Sequence, residues 1–181
     1  MVSTREVYKY YGIKLSVPST IWATQTWNNY LVKTYPSSEC SSVASSSWTA
    51  NGVKFLYPHH IQKTYILEGV VEGEICFSNC TVFEIKNYRV TVFKINNDNN
   101  ESDLVTTGII THTDKGSVDD YVVHHFWIDA YDTENVLDEY DRIGVKVEWN
   151  IGQTVSTVSA KLLHDISTSD PDLWIDIPFL L

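Results

Sequence analysis

The sequence predicts an all-β protein, an antiparallel β-sandwich or jelly roll of about seven or eight strands with an N-terminal arm or extension. Three observations carry that expectation. Between Tyr65 and Phe77 the chain alternates with period two: Tyr65, Leu67, Val71, Ile75 and Phe77 share one face. Ile66, Glu68, Val70, Glu72, Glu74 and Cys76 share the other, mostly polar, which marks a sheet with one side in a core. The composition holds 11 Tyr, 6 Trp and 6 Phe against one Met, and aromatic side chains suit a pleated, half-buried surface. Apolar runs are separated by polar turns rather than by helical patterns, which disfavours a parallel α/β sheet.

Taken in order, Ile13, Leu15 and Val17 alternate with Lys14 and Ser16 until Pro18 ends the run. Residues 21–35 carry Trp22, Trp27, Tyr30 and Tyr35 on a polar background, so these rings need cover from the sandwich or from a neighbouring subunit. Residues 36–47 are Ser-rich and read as a linker or exposed loop. Gly69 and Gly73 inside the alternating run suggest a bend or bulge. A strand over 88–95, an Asn/Asp-rich turn over 96–103 and a strand over 104–112 follow. Phe126, Ile128 and Ala130 lie on one face of the next strand, with Val122 and His124. The best helix candidate is 133–141, with Val136, Leu137 and Tyr140 suitably spaced and Asp132 or Thr133 as cap; a polar crossover loop reads equally well. Val145, Val147 and Trp149 alternate with Lys146 and Glu148. Asn150, Ile151 and Gly152 look like a hairpin turn, across which 154–163 is expected to pair. The last run puts Leu173, Ile175, Ile177, Phe179 and Leu181 on one side, Trp174 and Asp176 on the other. The organisation expected is an extension over 1–60 and a sandwich over 61–181.

The net charge is −10, which argues against a chain that neutralises nucleic-acid phosphates. The charge is uneven: the chain through Arg89 carries +2 and the remainder −12. Residues 114–141 hold nine carboxylates (Asp114, Asp119, Asp120, Asp129, Asp132, Glu134, Asp138, Glu139 and Asp141) against Lys115. Such a run is a solvated acidic rim or a face that meets a basic partner or a cation. The N-terminal residues have no apolar core of a secretory signal, and no run approaches the roughly 18–20 apolar residues that span a bilayer. Cys40, Cys76 and Cys80 are expected as buried thiols in a reducing compartment.

Residues that carry chemistry are scattered. The pairs His59–His60 and His124–His125 point to opposite faces if they lie on strands, so neither converges on a metal by itself. His112, His124 or His125 could meet Asp129, Asp132 and Glu134 only if loops brought them together. Asn96, Asp98 and Asn100 resemble the start of a calcium loop, but Glu101 and Thr107 stand where Gly and Glu are required; a hairpin loop is the better reading. No nucleophile elbow, phosphate-binding loop or zinc-protease motif occurs. No catalytic, cofactor-binding or metal-binding residue is assigned, no cofactor is expected, and the chain is expected not to be an enzyme.

Several segments resemble the β-sandwich virion proteins of tailed bacteriophages, which build heads, head decorations and necks. They are the strand over 65–69, the strand over 88–94 with its polar loop, Phe126 to Ala130, 138–148, and the closing 173–180 with Ile177, Pro178 and Phe179. The resemblance covers about residues 65–181. It implies a non-enzymatic structural subunit located in the virion and made in the host cytoplasm. Its partners would be other virion proteins and further copies of itself as a homo-oligomer, with no direct nucleic acid and no membrane. The N-terminal region would reach a neighbour as an arm. The alternative is a carbohydrate-binding sandwich, with Trp48, Trp127, Trp149 and Trp174 available to stack on sugar rings.

Overall fold

The alternating apolar positions settle into strands whose inner faces meet in one core. The computed structural model describes residues 5–22, 25–32, 41–45, 53–79, 85–111, 121–131, 135–151, 160–164 and 173–180. Their strands are β1 (Arg5–Trp22), β2 (Gln25–Val32), β3 (Ser41–Ser45), β4 (Val53–Leu56), β5 (Tyr65–Leu67), β6 (Val70–Asn79) and β7 (Ile85–Ile95). They continue as β8 (Glu101–Thr106), β9 (Ile110–Thr111), β10 (Tyr121–Asp129), β11 (Asn135–Leu137), β12 (Arg142–Ile151), β13 (Ala160–His164) and β14 (Trp174–Leu180). The described residues include no helix, and the expected all-β antiparallel sandwich is what forms.

Hydrogen bonding runs along β3–β13–β6–β14–β1–β2–β4–β12–β7–β8, with β10 on β6, β9 on β7, and β5 between β11 and β14. All pairings are antiparallel except a single parallel bridge from Tyr30 of β2 to Leu56 of β4. One layer is β10–β6–β14–β1 and the other β4–β12–β7–β8. Val71, Ile75, Phe77, Phe126, Ile175, Ile177 and Phe179 of the first pack against Phe55, Tyr88, Val90, Val145, Val147 and Trp149 of the second. The Phe77 ring lies 5.2 Å from Trp149 and 6.5 Å from Tyr88, joining the layers. Each such buried side chain contributes roughly 1.5–3 kcal/mol relative to exposure.

The expected faces of 65–77 are present: Leu67, Val71, Ile75 and Phe77 are fully buried. The bend falls at Gly69, whose φ of +133° only glycine adopts readily, and it divides the run into β5 and β6. The turn that closes the β7–β8 hairpin is shorter than the expected 96–103: it spans 96–100, with Asn96 Oδ1 accepting from the N–H groups of Asp98 and Asn100, while 101–103 belong to β8 and pair with 93–95. Pro18 lies where the β1–β2 register slips between Lys14 and Ser19, inside the strand assigned over Arg5–Trp22. The strands of the first sixty residues enter the same sheet as those that follow: β1 pairs with β14 and β2, and β3 with β13.

Two local expectations are corrected. Asn135–Leu137, within the helix candidate, is a strand paired with β5, because Val136 opposite Ile66 extends the sheet while Leu137 fills the core. Of the 154–163 segment expected to pair across the turn, the described residues 160–163 lie in β13, which pairs with β3 and β6 and places Leu162 opposite Phe77. Residues 132–134 and 152–159 lie outside the described residues.

At Gly73 a Cβ would stand 2.4 Å from the Trp174 carbonyl oxygen and 2.7 Å from the Phe126 ring. Gly73→Ala is therefore expected to lower stability by about 1–3 kcal/mol through overpacking. Urea denaturation of the variant checks this, and an unchanged midpoint would contradict the close approach.

Candidate functional site

The outward face of β10–β6–β14–β1 follows from the same alternation that fills the core. Register places Trp127, Glu72, Asp176 and Lys9 in one row across the four strands. His125, Glu74, Trp174 and Tyr11 form the next row. His125 Nδ1 lies 3.1 Å from Glu74 Oε2, and Lys9 Nζ lies 3.4 Å from Asp176 Oδ2. The same ammonium sits 3.9 Å from the centre of the Trp174 ring, so that ring is capped by a cation. Among the described residues no cation caps Trp127, which is 71% exposed. Val70, Val123, Val7 and Tyr131 are also exposed on this side, with Arg5 5.3 Å from the Tyr131 ring centre. Among the described residues β10 pairs with β6 alone.

The second region is a cleft at one end of the sandwich, of about 420 Å³. Tyr8 and Tyr10 enter it from one face of β1, Tyr57, His59, Ile61 and Gln62 from the connection after β4, Tyr65 from β5 and Phe179 from β14. The rings touch in two groups. Tyr10 meets Tyr57 edge-on at 5.3 Å and Tyr57 meets His59 at 5.2 Å; Phe179 lies 5.7 Å from Tyr8 and 5.3 Å from Tyr65. Tyr8 donates its phenol proton to Glu6, and that bond, with burial and Tyr65 nearby, raises its pKa. Burial, then the neighbouring Tyr57, Tyr8 and Tyr65 hydroxyls, raises Tyr10. Tyr57 is also raised, by burial.

One wall of the cleft is pinned from behind. Arg142 donates to His60 Nε2 at 2.6 Å, which assigns the proton to Nδ1, and Nδ1–H donates to the Tyr140 carbonyl at 2.6 Å. Burial pushes the Arg142 guanidinium down to about 10, so it remains charged at neutral pH. The Ile61 and Tyr140 N–H groups complete the attachment, bonding the Asp141 and Ile61 carbonyls at 2.7 and 2.9 Å.

The acidic stretch is not uniform. Asp129, Asp138 and Glu139 are exposed. Asp141 is buried, 3.0 Å from Lys94 Nζ, and accepts the Asp138 N–H at 3.0 Å. It holds the 138–141 turn rather than offering a docking charge. Asp114, Asp119, Asp120, Asp132 and Glu134 lie outside the described residues. His124 is buried among Phe77 and Tyr88 while His125 faces outward, as strand neighbours must. Among the described residues no three His, Cys, Asp or Glu side chains could hold a metal ion; His112 is not among them. Cys76 is buried, and Cys40 and Cys80 fall outside. Of the four tryptophans, Trp149 is core, Trp174 half-buried, Trp127 exposed, and Trp48 outside. The cleft escaped the sequence reading; its signal was the period-two pair Tyr8 and Tyr10.

No protein family and no curated protein matches the chain. Among solved structures, an aminopeptidase from a marine sediment archaeon, Thaumarchaeota archaeon, matches 98% of this chain at a TM-score of 0.66 and 8% identity. A CocE/NonD family hydrolase from Staphylococcus aureus matches 95% at 0.65 and 13% identity. The chain spans only 37% and 36% of those two chains, and at such identity the likeness is one of fold. A structure of infectious bursal disease virus, Gt strain, also matches, over 97% of this chain and 37% of that one, at 0.41 and 11% identity; no property of this chain is taken from it.

Two measurements check the site chemistry. Removing the carboxylate in Asp141→Ala leaves the Asp138 N–H without its acceptor and Lys94 with the Val136 carbonyl at 2.8 Å and the exposed Asp138 at 3.7 Å, and is expected to cost about 1–3 kcal/mol; an unchanged denaturation midpoint would show the pair to be dispensable. Tyr8, Tyr10, Tyr57 and Tyr88 all have folded pKa values above their unfolded ones. Their contribution is full below about pH 10 and declines as pH rises toward the folded values, because the unfolded chain ionises first. Urea midpoints should therefore fall above about pH 10, with a shallower slope in Tyr10→Phe; equal slopes would refute the assignment.

Proposed function

We propose that the chain is a non-enzymatic structural subunit of a tailed-bacteriophage particle, placed at the capsid surface or the head–tail neck and assembling in multiple copies. The observation that carries this reading is Trp127, 71% exposed on β10, a strand that pairs with β6 alone among the described residues. A large ring left in water on the same face as the exposed Val70 and Val123 is what a protein contact covers. The resemblance of 65–181 to phage sandwich proteins supports the same reading. Strands β1 and β2 pair within the chain's own sheet, which supports a docking role for β10 and its outward face beside that of the N-terminal region. Its partners are then other virion proteins and further copies of the chain.

A second reading, a carbohydrate-binding sandwich, is favoured by one separate observation: the tyrosine-lined cleft at the sandwich end.

Light scattering on a sizing column should show a defined oligomer, and mass spectrometry should find the chain in purified phage particles. Trp127→Arg is expected to shift the oligomer to monomer with an unchanged circular dichroism spectrum. A strictly monomeric protein that is absent from particles would overturn the structural reading.

A further inference from the structure

The cleft lined by Tyr8, Tyr10, Tyr57, Tyr65 and Phe179 is separate from the outward face of β10. We infer that it binds a neutral pyranose ring, the rings stacking on the sugar's C–H faces and the phenols exchanging hydrogen bonds with its hydroxyls. The inference rests on the carbohydrate reading and not on assembly.

Size, polarity and charge point the same way. About 420 Å³ falls within the range of small-ligand clefts and leaves room for one or two sugar rings. The part-exposed rings of Tyr8, Tyr57 and Tyr65 give stacking surfaces, with Tyr10 and Phe179 buried behind them, and His59 and Gln62 add imidazole and amide groups. Burial raises Tyr57 and Tyr10, so both stay protonated through the physiological range, and a protonated phenol can donate and accept, as polyols require; the Tyr8 proton is committed to Glu6, which leaves its oxygen as an acceptor. Among the described residues no Lys, Arg, Asp or Glu lines the cleft, and Lys63, 5.2 Å from the Tyr65 ring centre, is itself solvent-exposed, so a charged ligand would lose water there against little counter-charge. The Glu6 carboxylate is engaged by the Tyr8 hydroxyl, which disfavours a quaternary ammonium guest despite the aromatic walls. The wall carrying His59 to Gln62 is held by the His60–Arg142 and Ile61–Asp141 bonds, so ligand binding need not order it.

The test is saturation-transfer NMR on the full chain with methyl glycosides of glucose, galactose, mannose and N-acetylglucosamine, alongside glucuronic acid and choline. Transfer from at least one neutral glycoside is expected, abolished in Tyr57→Ala and retained in Trp127→Ala. Tyr65→Phe, which removes one hydroxyl and keeps the ring, should weaken binding by about three- to tenfold. It also serves where Tyr57→Ala fails to fold. Transfer from glucuronic acid alone, or loss in Trp127→Ala but not in Tyr57→Ala, would overturn the assignment to this cleft while leaving a carbohydrate-binding chain. Transfer from choline alone, or from none of the probes, would overturn both.

Discussion

The sandwich depends on β6 being shared. Along one edge it pairs with β10 over its whole length; along the other it serves β14 through residues 72–74 and β13 through 76–79. A strand bonded on both sides must bury one face completely, and β6 does so with Val71, Gly73, Ile75 and Phe77. Gly73 is where the strain of that sharing concentrates, since the Trp174 carbonyl and the Phe126 ring both close onto its missing side chain. Because β6 fixes β14, and β14 fixes β1, the positions of Phe179, Tyr8 and Tyr10 are inherited from it. The outward rows that set Trp127 beside Glu72 have the same origin.

What could be read from the sequence is what local alternation dictates. The faces of 65–77, the burial of Leu173, Ile175, Ile177 and Phe179, and the presence of a hairpin turn after Ile95 are all products of neighbours along one strand or turn. What could not be read is long-range choice. Residues 135–137 have helical spacing, yet their strand state is imposed by β5, which itself sits against β14. The partner of 160–164 is β6, far back in the chain, and no local pattern distinguishes that from a hairpin onto β12. The cleft is the extreme case, since its rings come from β1, the connection after β4, β5 and β14. Only the Tyr8–Tyr10 alternation is local enough to have announced it.

The charge asymmetry changes meaning once the partners are visible. Glu148 lies buried against Arg89 at 2.7 Å, Asp141 against Lys94, and Asp103 reaches Lys146 at 3.3 Å. The last two pair acids and bases of the later part and are already cancelled within the −12, whereas Arg89–Glu148 joins the two parts. Glu101 similarly meets Lys54 of β4 at 2.7 Å, tying the basic early half to the acidic later one. Partly shielded pairs of this kind specify register more than they stabilise.

The two outward-looking features then divide the surface without competing. Strand β1 shows why: its even residues Tyr8 and Tyr10 turn inward to the cleft, while Val7 and Lys9 turn outward onto the face shared with β14. A partner covering Trp127 would approach from the β10 side, three strands away from β1 and on the opposite side of the sheet from the phenols. The proposed assembly through β10 would therefore leave the cleft open to solvent. The pleat of a single strand is what makes the two proposed roles compatible in one small sandwich.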